Sequence, residues 1–325
     1  MKVLVTGALG NVGLYTVRAL LDEGHDVVAF DLPSRRARRL ASRLADRVQA
    51  IWGDITEPDE VRSALGGVDA VIHLAAIIPP ASERIPDIAR RVNLDATCRL
   101  IELMAESRAA KRLVFASSIG IFGDVQDREP PLRVDTPVHP TDEYGRHKVL
   151  CEKAIRQSGL RWSILRLAAV SPIHLQAQDP SIMFESSPNA RFEFLHPADA
   201  GTAFARAVAC EETVGKTLYI AGGTQCRMTY HDFINALMTA IGIGPLPAEA
   251  FAPGDPPRFA GDWVDTEESQ RLLRYQQRGL REQLDDMKKD FGILVPIIRL
   301  VRPLANRFVV SKSAYLQENR RRVRL

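Results

Sequence analysis

Lys2-Val3-Leu4-Val5-Thr6-Gly7-Ala8-Leu9-Gly10-Asn11-Val12-Gly13 is the stretch that decides the fold. A short apolar run ends at a glycine, further glycines follow at three-residue spacing, and an apolar helical pattern runs on from Val12 to Leu21. Glycines so spaced allow a tight turn, close backbone approach to a pyrophosphate and close helix–strand packing. The N–H groups opening the helix then point at an anion. Gly7, Gly10, Asn11, Val12 and Gly13 are therefore candidate binding residues for a dinucleotide cofactor.

Outward from this turn, apolar runs at 26–30, 48–52 and 70–74 alternate with polar helical stretches such as 58–65. A helix at 87–107, a strand at 112–116, a helix at 142–157 and a strand at 162–167 continue the pattern. It resumes with a helix at 199–210, a strand at 217–221 and a helix at 229–241. Such alternation makes βαβ units around a parallel sheet covered on both faces. The expected fold is α/β, a doubly wound parallel (Rossmann-type) sheet with a small C-terminal substrate lobe. Residues 1–170 with 197–224 are assigned to the NAD-binding domain, 171–196 with 225–290 to the lobe, and 291–325 to a basic amphipathic tail. Segment 171–191, rich in Pro, Ser, Gln and Asp, reads as an irregular substrate-side excursion, and 242–257 as a loop dense in Gly and Pro.

Asp31 ends the second apolar run. A carboxylate there accepts the adenosine ribose hydroxyls and repels a 2′-phosphate, favouring NAD over NADP. Arg35 and Arg36 offer the opposite reading, as a grip on a 2′-phosphate, but with Arg38 and Arg39 they also read as a solvated helix face. Asp54 and Ile55, after the third strand, are expected beside the adenine.

Farther on, Tyr144-Gly145-Arg146-His147-Lys148 sets a phenol and an ammonium on one helix face. A neighbouring cation favours phenolate, so Lys148 is expected to lower the pKa of Tyr144 from about 10. Proton transfer beside a nicotinamide is the chemistry that follows. His147 is expected to face away from the pocket.

Composition excludes more than it selects. The chain has 325 residues, 46% hydrophobic and 26% charged, and its net charge of +3 gives no argument for nucleic acid. Cys98, Cys151, Cys210 and Cys226 form no Cys-x-x-Cys, and His73, His139, His147, His174 and His196 show no metal-ligand spacing, so reduced thiols and no metal are expected. The sequence opens directly on a strand and holds no run of 18 apolar residues, so neither a signal peptide nor a membrane span is expected. The expected compartment is the cytoplasm.

These motifs stand in an order that resembles the extended short-chain dehydrogenase/reductases, the NAD-dependent epimerase/dehydratase group, from residue 1 to about 290. Besides Thr6–Gly13 and the Tyr/Lys pair, the resemblance rests on His73-Leu74-Ala75-Ala76, Val92-Asn93-Leu94 and Phe115-Ala116-Ser117-Ser118-Ile119-Gly120-Ile121-Phe122-Gly123. Leu165-Arg166, Phe194-Leu195-His196-Pro197-Ala198-Asp199 and Tyr219-Ile220-Ala221-Gly222-Gly223 extend it. It implies that Tyr144 moves the hydroxyl proton while hydride passes to or from the nicotinamide. Lys148 would hold the nicotinamide ribose, and Ser118, rather than Ser117, the reacting oxygen. Asn93 joins the implied catalytic set, and Leu74, Ala75 and Ala76 the cofactor wall.

The departures narrow the reaction. Ile119 and Gly120 stand where sugar 4,6-dehydratases carry an Asp-Glu pair, Ala169 where nucleotide-sugar epimerases carry an asparagine, and Phe192 where those carry an arginine, with Arg191 one place off. The stretch from Arg166 to His196 is also short. The expectation is an NAD-dependent oxidoreductase of a small or apolar substrate, interconverting a secondary alcohol and a ketone or a lactol and a lactone, as a homodimer. A (nucleotide-)sugar epimerase is the alternative, and a dinucleotide-sensing or scaffold protein the alternative of another class.

Residues 291–325 hold eight Lys/Arg against Glu318 alone, a net of +7 that leaves −4 for the rest. Leu294, Ile297, Ile298, Val301, Leu304, Ala305 and Phe308 recur at helical spacing, interrupted by Pro296 and Pro303. Two readings follow: peripheral contact with an anionic membrane surface, or docking of the apolar stripe on protein, which is the expected outcome.

Overall fold

Seven strands run parallel in the order β3-β2-β1-β4-β5-β6-β9. They are β1 (Lys2–Thr6), β2 (Asp26–Asp31), β3 (Val48–Trp52), β4 (Ala70–His73), β5 (Arg112–Ser118), β6 (Arg161–Leu167) and, after β7 (Ala169–Val170) and β8 (Arg191–Leu195), β9 (Lys216–Ile220). The structure is a computed structural model that describes residues 1–44, 47–107, 109–173, 179–253 and 261–322, with Arg321 and Arg322 described in their backbone only. His174, Arg324 and parts of the 171–191 and 242–257 segments lie outside the described residues.

Strand order reverses between β1 and β4, so the carboxyl ends of these strands open a crevice at the switch point, where ligands bind in sheets of this kind. Alternating side chains serve two cores. Val3, Val5, Val114 and Ala116 join α1 (Asn11–Asp22) and α2 (Arg35–Ala41) on one face, together with a helix at 197–209. Leu4, Leu113 and Phe115 join α3 (Pro58–Ala64) and, later in the chain, helices at 96–106 and 143–156 on the other. Nearly continuous apolar strands such as Val3-Leu4-Val5 are what a sheet covered on both faces requires.

The expected helix over 87–107 is divided. After α4 (Ala81–Arg84), α5 (Pro86–Arg90) leads into a π-turn at Arg91–Asp95 before α6 (Ala96–Glu106). The wide turn brings both ends of the Asn93 amide onto one backbone unit: its nitrogen donates to Ile77 O at 2.8 Å and its oxygen accepts from Ile77 N at 2.7 Å. Pairing with Ile77 explains the turn better than propensity does, and π-turns recur where helices serve sites.

α7 (Glu143–Arg156) starts at Asp142, whose carboxylate accepts from Gly145 N at 2.6 Å as a helix cap. One stripe of it repeats every four residues, from Tyr144 through the buried Lys148 and Glu152 to the exposed Arg156. Glu152 is buried and accepts from Ser117 Oγ at 2.6 Å, from Arg166 Nε and Nη2 at 3.0 and 2.9 Å, and from Arg156 Nη2 at 2.7 Å. Burial pushes its pKa up, but Arg166, with Ser117 and Arg156, outweighs burial and holds the carboxyl below its ordinary range. A buried carboxylate thus fixes α7 to β5 and β6.

Beyond the sheet, α8 (Pro197–Ala209) packs on α1. Strands β7, β8 and β10 (Arg227–Thr229) make a second, three-stranded sheet. It carries a third core with α9 (Tyr230–Ala240) and, after α10 (Glu267–Leu273), α11 (Leu280–Phe291). Phe184, Phe192, Phe194, Phe233 and Phe251 dominate that core.

Removing the Glu152 carboxylate strands Arg166, which is equally buried. Glu152→Ala should therefore cost about 3–5 kcal/mol in urea unfolding. A loss below about 1 kcal/mol, the range of a surface ion pair, would show that α7 is seated by its apolar contacts alone.

Candidate active site

The glycine turn lies at the switch point. Gly7 has φ +67°, and a Cβ there would meet Ala75 N and Cα at 2.9 Å; a Cβ on Gly13 would lie 2.0 Å from Gly7 O. Both absences of side chain are demanded by the fold. Gly10 differs: its φ of −72° suits any residue, and a Cβ would meet only Gly7 O at 3.3 Å. Gly10 is also the N-cap of α1 and has no side chain to satisfy the first-turn N–H groups, which start at Asn11 and Val12. An open cradle at a helix N-terminus fits a pyrophosphate.

Asp31 stands beside this turn. Its carboxylate accepts from Leu9 N at 2.7 Å and Leu32 N at 2.8 Å, which ties the turn to β2 and leaves acceptor capacity for hydroxyls. Asp54 Oδ1 accepts from the backbone N and the hydroxyl of Thr56, both at 2.9 Å, and Ile55 is buried. Arg35, Arg36, Arg38 and Arg39 are exposed, with Arg38 4.9 Å over the Trp52 ring.

A chain of hydrogen bonds that the sequence did not announce runs across the floor. Leu74 N and Ala75 N donate to Thr6 Oγ1 at 3.2 and 3.3 Å, and Thr6 Oγ1 meets His73 Nδ1 at 2.6 Å. His73 Nε2 meets Thr97 Oγ1 at 2.9 Å, and Thr97 donates to Asn93 O at 2.7 Å. Because Thr97 gives its proton to Asn93, His73 donates from Nε2 and accepts at Nδ1 from Thr6. Burial, with Lys148 adding, holds the pKa of His73 down to about 3, so the ring stays neutral.

Ser118, Tyr144 and Lys148 come together at the carboxyl end of β5. Ser117 points under α7 to Glu152, whereas Ser118 ends the strand and accepts from Gly120 N at 3.0 Å. Lys148 is buried, donates to Ala116 O at 2.6 Å, and its Nζ lies 4.6 Å over Phe115 and 5.5 Å from the Tyr144 ring centroid. Burial raises the Tyr144 pKa well above the ordinary phenol value despite the opposing influence of the Ser118 hydroxyl, and the same burial lowers Lys148 to about 8. The expected lowering of the phenol by Lys148 is therefore corrected: desolvation wins, and Tyr144 is held neutral.

The geometry recasts Asn93. Expected among the catalytic side chains, it has both ends of its amide engaged with Ile77 and so ties the entry of α6 to the segment after β4. Ala76 lies in that segment, half-buried between Ala75 and Ile77. His147 is buried beside Glu143, 3.9 Å from its carboxylate, and burial lowers its pKa. On the lobe side, Arg191 binds Asp262 at 2.9 and 2.8 Å, and Phe192 is buried against Tyr230 and Phe233. Neither side chain is an available diphosphate ligand.

The lowered Lys148 pKa has a thermodynamic consequence. Between pH 8 and about 10.4, the unfolded value, the unfolded chain binds the additional proton, so the lysine's contribution to stability rises with pH. Below pH 8 both states are protonated and the full cost of burying the ammonium applies. Without cofactor, Lys148→Met should be more stable than wild type at pH 7 by about 1–3 kcal/mol, with the gap closing toward pH 10. Urea unfolding across this range checks it; a gap independent of pH would contradict it.

Comparison with known proteins agrees with this architecture. The pattern of the NAD dependent epimerase/dehydratase family matches residues 3–221, more than half of the chain. D-erythronate dehydrogenase of Cupriavidus necator is 32% identical over 184 residues, 53% of this chain and 56% of that one. UDP-glucose 4-epimerase of Lactobacillus helveticus is 33% identical over 173 residues, 51% of each. The matches thus span about half the length of these curated relatives. UDP-glucuronic acid 4-epimerase from Bacillus cereus, solved with UDP-glucuronic acid and NAD, superposes with a TM-score of 0.74 at 22% identity, covering 89% of this chain and 99% of that one. With the glycine turn, the strand order and the matched span in accord, the chain belongs to the NAD dependent epimerase/dehydratase family.

Proposed function

We propose that this chain is an NAD-dependent oxidoreductase acting on a secondary alcohol or its ketone, or on a lactol or its lactone. The observation that carries the reading is the placement of Tyr144 and Lys148 on one face of α7 at the carboxyl end of β5, with the Lys148 ammonium 5.5 Å from the phenol ring centroid and Ser118 ending the strand beside them. The glycine turn, Asp31, Asp54, Ile55 and Leu74–Ala76 are the residues that would hold NAD, and the Gly10 cradle fits its pyrophosphate. When bound, NAD supplies the hydride acceptor or, reduced, the donor.

The chain's own groups handle the proton and the oxygen. Ser118 holds the reacting oxygen, since a hydroxyl both donates and accepts. Tyr144, neutral in its buried setting, is ready to give its proton to a carbonyl oxygen as that oxygen gains charge. In the reverse direction it receives the hydroxyl proton, with the nearby Lys148 charge stabilising phenolate. Lys148 would also hold the nicotinamide ribose. Asp31 favours NAD over NADP by repelling a 2′-phosphate.

A dehydrogenase of a small substrate is preferred to a nucleotide-sugar epimerase because Arg191 is engaged by Asp262 and Phe192 is buried in the lobe core. The epimerase reading keeps one support, the UDP-glucose 4-epimerases among the relatives. A non-catalytic sensor would not need Ser118, Tyr144 and Lys148 assembled together. Beyond the substrate, the proposed partners are a second copy of the chain and, through 291–325, a membrane surface.

The test is a panel of secondary alcohols, hydroxy acids and lactols with NAD, following absorbance of the reduced cofactor. Net reduction of NAD is expected, with turnover falling roughly 10²–10⁴-fold in Tyr144→Phe. Isomerised sugar without net reduction would favour the epimerase, and undiminished turnover in Tyr144→Phe would remove the tyrosine from the mechanism.

A further inference from the structure

The C-terminal helices are docked on one side and bare on the other. After α11, the chain continues through α12 (Leu294–Leu300), α13 (Arg302–Val310) and α14 (Leu316–Arg322). Their inner side belongs to the third core: Val295 and Val309 are buried, and Ile298, Ala305, Val310 and Tyr315 pack around them. Polar clamps add to this. The Asn306 amide donates to Ile243 O and Pro245 O at 3.3 and 2.9 Å, the Asn319 amide to Glu249 O and Phe251 O at 3.0 and 2.8 Å, and Ser313 to Ala250 O. This segment is part of the lobe, not a loose tail.

The outer side is the anomaly. Ile293 (78% exposed), Ile297, Leu300 (85%), Leu304 (71%) and Phe308 (59%) share one stripe across α12 and α13. Single exposed apolar residues need no explanation, but a contiguous row does. Beside the row stand Arg307 and Lys312, both exposed, with Lys312 4.9 Å over the Phe308 ring, while the exposed Arg299 and Arg302 lean on the Gly242–Gly244 turn at its margin. Within 291–325 Glu318 is the one acidic residue.

We infer that this face seats the protein on an anionic lipid surface, with Leu300, Leu304 and Phe308 in the acyl boundary and the arginines at the headgroups. An apolar row flanked by cations is the chemistry of an interfacial helix, and each cation near an anionic leaflet adds attraction. Among the described residues no helix is long and apolar enough to cross a membrane, and α12 and α13 are too short to do so, which leaves the in-plane arrangement. A second copy is the poorer occupant: a two-fold contact joins the same patch to itself and would set these cations against each other. Docking and lipid contact are not alternatives here, because opposite sides of the same helices provide them. The inference rests on this face and not on the reading of the redox site.

Flotation of the full chain with vesicles of phosphatidylcholine, with and without phosphatidylglycerol, tests it, alongside Leu300→Ser/Leu304→Ser. Both leucines are exposed, so the variant should keep the wild-type melting temperature. The expected result is binding to phosphatidylglycerol vesicles only, released as salt screens the arginines, and weakened at least about tenfold in the variant. No binding by the intact chain, or binding that the serine pair leaves unchanged, would overturn the inference. So would a vesicle-free oligomer that the serine pair dissolves, because a second copy would then cover the face.

Discussion

The Glu152 carboxylate, enclosed between Arg166, Arg156 and Ser117, is the interaction on which the rest of the site depends. A buried charge is tolerated only when its hydrogen bonds are complete, and this one draws them from β5, from β6 and from its own helix. Those partners set the rotation and depth of α7. Rotation decides that Lys148 and Tyr144, one and two turns earlier on the same stripe, meet the carboxyl end of β5. Ser118 then lies within reach of the phenol, while Ser117 is consumed by the anchor.

Around that anchor the site is almost entirely neutral and internally satisfied. His73 is held uncharged between two threonines, Asn93 grips Ile77, and the phenol is kept protonated by burial. The one group poised near neutrality is Lys148. Buried, satisfied networks hold a single geometry, which would suit the proposed transfer of a proton and a hydride between fixed positions. The lobe adds an aromatic core rather than a set of basic ligands, in keeping with a substrate of modest charge.

Much of this was legible in the residues, for definite reasons. The glycine turn and the strands β1–β6 and β9 follow from local spacing, because a sheet covered on both faces leaves apolar runs bounded by glycines and helices. That Tyr144 and Lys148 share a helix face was readable from their four-residue spacing, whereas Ser118 rested on the resemblance. The π-turn at Arg91–Asp95 was not legible, since it arises from the pairing of Asn93 with Ile77, sixteen residues back in the chain. The anchor at Glu152 was not legible either, since only the fold brings Arg166 and Ser117 against it. Strands β7, β8 and β10 are two to five residues long and owe their pairing to tertiary contact. The pKa of Tyr144 went astray for a similar reason: spacing reports a neighbouring cation, but only the fold reports burial.

The account turns on a dinucleotide in the crevice at the switch point, and Gly10 tests it most directly. Gly7 and Gly13 are required by the fold, whereas Gly10 has room for a methyl group if Gly7 O yields slightly. The decisive measurement is calorimetric titration of NAD into wild type and Gly10→Ala, with thermal melts of both. The account predicts one NAD per wild-type chain, a near-unchanged melting temperature in the variant, and affinity reduced at least about tenfold, as a methyl group occupies the pyrophosphate cradle. Wild-type protein that takes up no NAD, or a Gly10→Ala variant that binds it equally well, would contradict the account.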